Sequence, residues 1–435
     1  MLVTPQPVRR RTLSVKELSR VEGQGGLRVV VRDGNVKDVQ FRVYEPPRLF
    51  EALLVGRSFT EPPDLTARIC GICPVAYQMS ACRAIEDACG VVVDPPLERL
   101  RRLLYCGEWI QSHVLHISML HAPDFLGYPG MIEMAADHRQ EVDRALGLKK
   151  VGNQIMELIG GRAIHPINIR LGGFYRVPAR RDLQPLAERL RWAREAAWDM
   201  VRWVSGFEFP DFQPAYQFVS MVHASEYPIL EGHLQTSRGT VVAAHDFERR
   251  FIEEQVAHST ALHCRTVDGE RYLVGPLARY NLNFGRLGLV ARQAAAEAGL
   301  GPKCRNPFQS IIVRSVEVVH ACDEALRLIE EYREPERPFV AVEPVPATGC
   351  GITEAPRGTL YHRYRIGSGG LIADACIVPP TSQNQGQIED DLRELVQGRP
   401  QMPSLELTRL CEQAIRNYDP CISCSTHVLD LPAKG

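Results

Sequence analysis

Two cysteine pairs of identical spacing stand far apart in the chain, in Arg68-Ile69-Cys70-Gly71-Ile72-Cys73 and in Asp419-Pro420-Cys421-Ile422-Ser423-Cys424-Ser425-Thr426-His427. Each Cys-x-x-Cys can turn two thiolates toward one metal. Four thiolates make a soft donor set that suits zinc, an iron–sulfur cluster, nickel or copper. Paired motifs that hold structural zinc usually have about 12–20 residues between them. Here most of the chain intervenes, so the sulfurs can meet only inside a large folded body. Spacing alone leaves zinc the commonest occupant. Three details weigh against it: His427 follows the second pair at i+3 as a ligand four thiolates would not need, Asp419-Pro420 precedes that pair, and a position near the chain end is an odd one for a simple structural clip.

Other residues are ambiguous when read singly. Glu22 reads as a surface glutamate just ahead of a hairpin, and Glu51 as a charge on a helix face. Asp124 and Asp419 read as capping or loop residues. His113 and His116 share a helical face at i, i+3, with His121 beyond; such histidines more often satisfy one another inside a helical core than bind a metal. The nine remaining cysteines, Cys82, Cys89 and Cys376 among them, contain no Cys-x2-Cys-x2-Cys run that would hold an iron–sulfur cluster. Gly367-Ser368-Gly369-Gly370 faintly echoes a dinucleotide-binding loop but lacks its third glycine and has no helix after it, so it reads as a hairpin turn.

These residues must be positioned by a body of 435 residues, 45% hydrophobic and 24% charged, with a net charge of −1. Such a chain can bury a sizeable core. It carries no electrostatic footprint for nucleic acid and no apolar run of about 18 residues that would span a membrane. Thirteen cysteines in no framework spacing, with no apolar segment after Arg9-Arg10-Arg11, suggest reduced thiols and a cytoplasmic location. Arg9–Arg11 reads as a solvated tail. The spacing predicts a hairpin over 27–43 turning at Asp33-Gly34-Asn35. It predicts helices over 97–121 (ended by Ala122-Pro123), 141–159, 186–204 (with Trp192, Ala196, Met200 and Trp203 on one face), 306–332 and 405–415, and a second hairpin over 360–378. The expected fold is α+β and predominantly α-helical, with long central helices and peripheral β-hairpins. It forms one domain over 1–435, with a possible subdomain at about 207–285.

Taken jointly, the motifs resemble the large, catalytic subunit of the nickel–iron hydrogenases. Arg-x-Cys-Gly-x-Cys and Asp-Pro-Cys-x-x-Cys-x-x-His match that family's two signature segments. Arg20-Val21-Glu22-Gly23, Leu120-His121-Ala122-Pro123-Asp124, Gly160-Gly161 with His165-Pro166, Glu354-Ala355-Pro356-Arg357-Gly358 and Ile377-Val378-Pro379 follow in order. The segments Cys73–Met79 and Val378–Gln385 are similar to the cytoplasmic, NAD(P)-linked multisubunit branch that includes the sulfhydrogenases. The resemblance implies a buried bimetallic centre that splits H2 into a hydride and a proton. Cys70 and Cys421 would be terminal nickel thiolates, and Cys73 and Cys424 would bridge nickel to an iron carrying carbon monoxide and cyanide. Glu22 would pass protons from Cys421. Arg357 would hang over the open coordination position, supported by Asp124, with Asp419 close by. Glu51, His427 and the backbone carbonyl near Cys376 would hold a magnesium ion. Pro379 and Thr381 would border the iron ligands, Thr381 standing in for a hydroxyl residue that Pro380 replaces.

This sequence departs from the family's common pattern at Tyr77 and Gln24, each where many members carry histidine. The resemblance also implies an iron–sulfur small subunit, flavin (FAD) and NAD(P) reductase subunits, a nickel chaperone and a maturation endopeptidase that removes 428–435. Iron–sulfur clusters, FAD and NAD(P) would all sit on partner chains. The alternative, from spacing alone, is a non-catalytic, zinc-clipped scaffold subunit of an electron-transfer complex.

Overall fold

A computed structural model describes residues 10–426. Three long helices make the centre: Pro95–Val114, Arg139–Gly160 and Ser310–Glu330. The first has Leu97, Leu100, Leu103, Leu104, Trp109 and Ile110 buried, and the third is buried on nearly all sides. A helix apolar all round belongs in the middle of a large core. Asn306 caps the 3-10 turn Pro307–Gln309 that leads into the third, its side chain accepting a hydrogen bond from the Phe308 N–H at 3.0 Å.

Helix Arg180–Ser205 closes the bundle and begins six residues before the periodicity indicated. Asp182 accepts from the Ala179 N–H at 3.0 Å and so fixes its first turn, while Pro185 obscures that start in the sequence. Its buried stripe runs through Leu183, Leu186, Leu190, Ala193, Ala197, Val201 and Val204. Trp192, expected inside, is 46% exposed. Its ring lies over Gly147 of the neighbouring helix, where an added Cβ would stand 2.5 Å from Trp192 Cη2.

The chain does not break at Ala122-Pro123. A π-helical run, Leu115–His121, passes into the short helix Ala122–Leu126. Pro123, which has no N–H to give, stands where the ladder has changed register, the Ala122 N–H reaching back five residues to the Ile117 carbonyl. Gly127, at φ 78, ends the helix in the left-handed region.

Small antiparallel sheets lie around the helices. The 27–43 hairpin is present as Gly25–Arg32 and Asn35–Val43, turning where Asp33 and Gly34 both have positive φ. A third strand, Arg10–Val15, joins it, pairing Arg10 with Arg32 and Arg11 with Val31. Arg10 and Arg11 are therefore strand residues rather than tail, because Leu13 goes into the core; Arg9 lies outside the described residues. The second hairpin, Gly358–Ile366 with Ile372–Val378, also gains a strand, Thr348–Ala355. Gly349 and Gly351 on that strand let helix Pro74–Ala88 lie directly against it. A Cβ at Gly351 would come within 2.5 Å of the Ser80 carbonyl oxygen, and one at Gly349 within 2.1 Å of that of Ala84.

Residues 207–285 contain several short strands, and their buried residues Val219, Met221, Leu234, Phe251 and Tyr272 share one apolar cluster with Ile352, Tyr361 and Val378 of the C-terminal sheet. Among the described residues, no helix is long and apolar enough to cross a membrane.

Candidate metal centre

The two cysteine pairs ride on different local structures. Cys70 follows a 3-10 turn, Ala67–Ile69. Cys73 is the residue before helix Pro74–Ala88, with Pro74 in its first turn. The free N–H groups of Val75 and Ala76 donate to the buried carboxylate of Glu108 at 2.6 and 3.0 Å, which fixes the direction in which that helix leaves Cys73. Cys421 and Cys424 sit on a tight turn after Asp419, whose φ is 49. The Cys421 N–H donates to Thr381 Oγ1 at 3.0 Å, and Ile422 N–H to the Glu22 carbonyl at 3.0 Å. Arg48 ties the two pairs together, donating to the carbonyl of Ile69 at 2.6 Å and to that of Ser423. Gly23 allows this closeness: its φ is 86, and a Cβ there would lie 2.7 Å from Ile422 Cβ.

The four sulfur atoms converge. Cys70 and Cys421 approach to 3.4 Å, Cys73 and Cys424 to 3.7 Å, and Cys421 and Cys424 to 2.7 Å, with all four residues buried. Hydrogen bonds from the other three thiols hold Cys70 well below the ordinary thiol range, while burial pushes Cys421 and Cys424 up. Protons shared this way mark a site whose thiols can all ionise only against added positive charge, as a pair of soft metal ions supplies. The donor set fits a nickel–iron centre.

Glu22 and Arg357 flank the sulfurs. Glu22 Oε2 lies 3.1 Å from Cys421 Sγ and accepts from the Ser423 N–H at 3.0 Å. Arg357 is 3% exposed and donates to the Asp419 carbonyl (2.8 Å), to Asp419 Oδ1 (3.0 Å) and to Ser112 Oγ (3.3 Å). Burial opposes its charge, but Asp419, with the cysteine sulfurs beside it, outweighs burial and holds the guanidinium charged.

Asp124 does not support Arg357, which corrects the sequence expectation. It pairs instead with Arg416 at 2.6 Å and with Arg20 at 2.5 Å, clasping the helix Ser404–Arg416 to the Glu22 segment. Asp419 takes Arg357 because it lies in the turn that leads into Cys421. Thr381 meets the Cys421 backbone. Pro379 precedes helix Pro380–Gln397, and its carbonyl accepts from Ser382 Oγ at 2.9 Å.

Glu51 accepts from the Ile377 N–H at 2.6 Å, beside Cys376, and burial raises its pKa to about 7. Glu253, which sequence reasoning missed, faces it, and burial followed by the charge of Glu51 lifts it to about 8. Such a pair of carboxyls suits a hard cation. His427 lies outside the described residues, as does the 428–435 tail. The Tyr77 phenol is buried beside Cys424 and the His362 ring; burial first, then the charge of Cys424, pushes it well above the usual range. Gln24 donates its N–H to Glu45 Oε2 at 3.2 Å.

His113 contacts Glu317 at 3.0 Å and His116 contacts the Arg416 carbonyl at 2.7 Å, as core histidines should. His165, at φ 49, contacts the Ala67 carbonyl at 2.8 Å, just before the first cysteine pair. Arg48 and Glu108 were missed as well. Arg48 had no distinguishing neighbour in sequence. Glu108 had one signal, a lone carboxylate on the otherwise apolar stretch 103–110.

Comparison with known proteins agrees with this geometry. A family model for nickel-dependent hydrogenases matches residues 48–145 and 264–427, more than half of the chain. The chain belongs to the nickel-dependent hydrogenase family. It is 35% identical over 426 residues to sulfhydrogenase 2 subunit alpha of Pyrococcus furiosus, covering 96% of this chain and 100% of that one. It is 31% identical to sulfhydrogenase 1 subunit alpha of the same organism, over 96% and 98% of the two chains. The NAD-reducing hydrogenase HoxS subunit beta of Cupriavidus necator is 28% identical over 96% and 95%. The solved structure of an NAD+-reducing nickel–iron hydrogenase in the H2-reduced state superposes with a TM-score of 0.85 at 26% identity, covering 96% and 99%. This hydrogenase is thus a catalytic large subunit and an oxidoreductase acting on H2.

Proposed function

We propose that this hydrogenase is the H2-cleaving subunit of a cytoplasmic, NAD(P)-linked complex of the sulfhydrogenase type. The observation that carries the proposal is the meeting of four buried sulfurs from two distant segments, with a carboxylate and a guanidinium beside them. Cys70, Cys73, Cys421 and Cys424 hold nickel and iron. When bound, that centre supplies a soft Lewis acid at which H2 is polarised and cleaved heterolytically.

The side chains then handle the charge. Glu22 takes the proton from Cys421 Sγ across 3.1 Å, oriented by the Ser423 N–H. Arg357, locked by Asp419 and Ser112, would offset the negative thiolates and present donors to small ligands on the iron, neutral carbon monoxide and anionic cyanide in this family. Pro379 and Thr381 border that edge. Glu51, with the carbonyl near Cys376 and with His427, would hold a magnesium ion.

Electrons leave to an iron–sulfur small subunit and then to flavin and NAD(P) subunits. The names of the sulfhydrogenase and NAD-reducing relatives support this route. A nickel chaperone and an endopeptidase acting after His427 complete the maturation scheme.

Purification of the native complex, with metal analysis and infrared spectroscopy, tests the proposal. One nickel per large subunit with iron in several-fold excess, metal-bound carbon monoxide and cyanide bands, and co-purifying iron–sulfur and flavin subunits are expected. Zinc alone, without those bands, would overturn it in favour of a zinc-clipped scaffold.

A further inference from the structure

A second group of metal-binding side chains lies away from the four cysteines. His258, His263 and Glu389 place one ligand atom each within 4.8 Å of one another. His263 opens the strand His263–Thr266, His258 lies in the loop that joins Phe251–Glu254 to it, and Glu389 projects from helix Pro380–Gln397. His258 Nε2 contacts Glu389 Oε1 at 2.7 Å, and the two imidazole rings stand 5.6 Å apart.

The decisive residue is His263. It is fully buried, and neither ring nitrogen has a hydrogen-bond partner. A buried imidazole left so forgoes its hydrogen bonds and is costly to keep unless something else takes its lone pair. Burial, aided by His258 and Arg271, lowers its pKa to about 3, so it is neutral near pH 7, the form that ligates metals. Arg271 is the neighbouring cation. Its charge is met by Glu254 at 2.9 Å, and Arg265 shares that carboxylate.

We propose that His258, His263 and Glu389 bind a divalent transition-metal ion of the Zn(II) class, which clamps the 251–266 hairpin to helix Pro380–Gln397. Two imidazoles and one carboxylate are a recurrent donor set for that class, with water at the fourth position. The side chains of His258 and Glu389 are 21% and 14% exposed, which leaves room for such a water. The clamp would matter to the hydrogen-splitting centre through position alone. The same loop is pinned to the first sheet by Thr260, which donates to the Val43 and Glu45 carbonyls, and Glu45 Oε1 accepts from Ser423 Oγ at 2.8 Å.

The test uses nickel- and iron-loaded enzyme, so that the cysteine site is already filled, stripped of loosely bound metal and titrated with Zn(II) alone. We expect one further equivalent of Zn(II) per chain, accompanied by a higher melting temperature. H258Q, E389Q and H263Q should each weaken this binding by at least about 10-fold and abolish the thermal shift. Should H263Q fail to fold, the two partly exposed positions carry the test. H223Q, in the separate His223, Glu226 and Glu231 group, should leave binding unchanged. Loaded enzyme that takes up no saturable Zn(II), or that binds it equally well as H258Q and E389Q, would overturn the proposal.

Discussion

Replacing Glu22 by glutamine separates proton transfer from metal binding. The change keeps the size and shape of the side chain. The amide oxygen can still accept from the Ser423 N–H, now at 3.0 Å, so the turn that carries Cys421 and Cys424 should keep its shape. What is lost is a group 3.1 Å from Cys421 Sγ that can take up and release a proton. A positioned acid–base group typically contributes about 10²–10⁴-fold to a rate, equivalent to about 3–5 kcal/mol of barrier. The E22Q enzyme should therefore contain normal nickel and iron and melt within about 1 kcal/mol of the parent, yet exchange H2 with D2O at least about 100-fold more slowly. The isotope-exchange assay reads H2 cleavage and proton release without any electron acceptor, so a defect in the partner subunits cannot mimic the effect. Parental exchange rates in fully metallated E22Q would refute the assignment of Glu22.

Three further outcomes follow from the geometry. Asp419→Ala leaves the buried Arg357 charge without its partner and should cost about 3–5 kcal/mol in denaturant unfolding of the metal-free chain, whereas Asp419→Asn should cost less; equal, small effects would contradict the pairing. Glu51 and Glu253 have folded-state pKa values raised from 4.5 to about 7 and about 8. The folded chain thus holds protons that the unfolded chain has released, and stability present below about pH 4.5 is lost as pH rises through 7 to 8. In metal-free protein, the stability advantage of the Glu51→Gln, Glu253→Gln double variant should grow over that window, and a difference independent of pH would contradict the burial argument. Gly351→Ala drives a methyl to within 2.5 Å of the Ser80 carbonyl oxygen; a loss of about 1–3 kcal/mol or more is expected, visible as a lower melting temperature, and an unchanged one would show that helix and strand can separate freely.

Much of this protein was legible in its residues, for identifiable reasons. The long helices announce themselves because Leu100, Leu103, Leu104, Ile311 and Val318 recur at helical intervals. The hairpins do so because Asp33-Gly34 and Gly367–Gly370 can hardly be anything but turns. Several elements were hidden, three of them for reasons that their residues make plain. Strand Thr348–Ala355 carries two glycines, which weaken any strand signal, yet those glycines are what bring helix Pro74–Ala88 against it. Strand Arg10–Val15 was masked by its arginines. Helix Pro380–Gln397 is largely polar, with Gln383, Asn384 and Gln385 buried and the first two hydrogen-bonding inward, so no apolar stripe reveals it.

The candidate site was legible where chemistry fixes residue type, in the four cysteines. It was not legible where a backbone group decides. Glu108 matters because it meets the N–H groups of Val75 and Ala76, and Arg48 because it reaches two carbonyls some 350 positions apart. Neither relation leaves a trace in spacing. Asp124 was assigned the wrong arginine for a similar reason: a motif shows that two residues belong to one neighbourhood, but not which of several arginines a carboxylate will choose.

The most direct measurement is nickel-edge X-ray absorption on the purified, metallated enzyme. Nickel bound by four sulfur donors with iron as a close neighbour is the expected result, falling to three sulfurs when Cys421 or Cys70 is changed to serine and metal is retained. Nickel surrounded by nitrogen and oxygen, or sulfur coordination untouched by either substitution, would contradict the account.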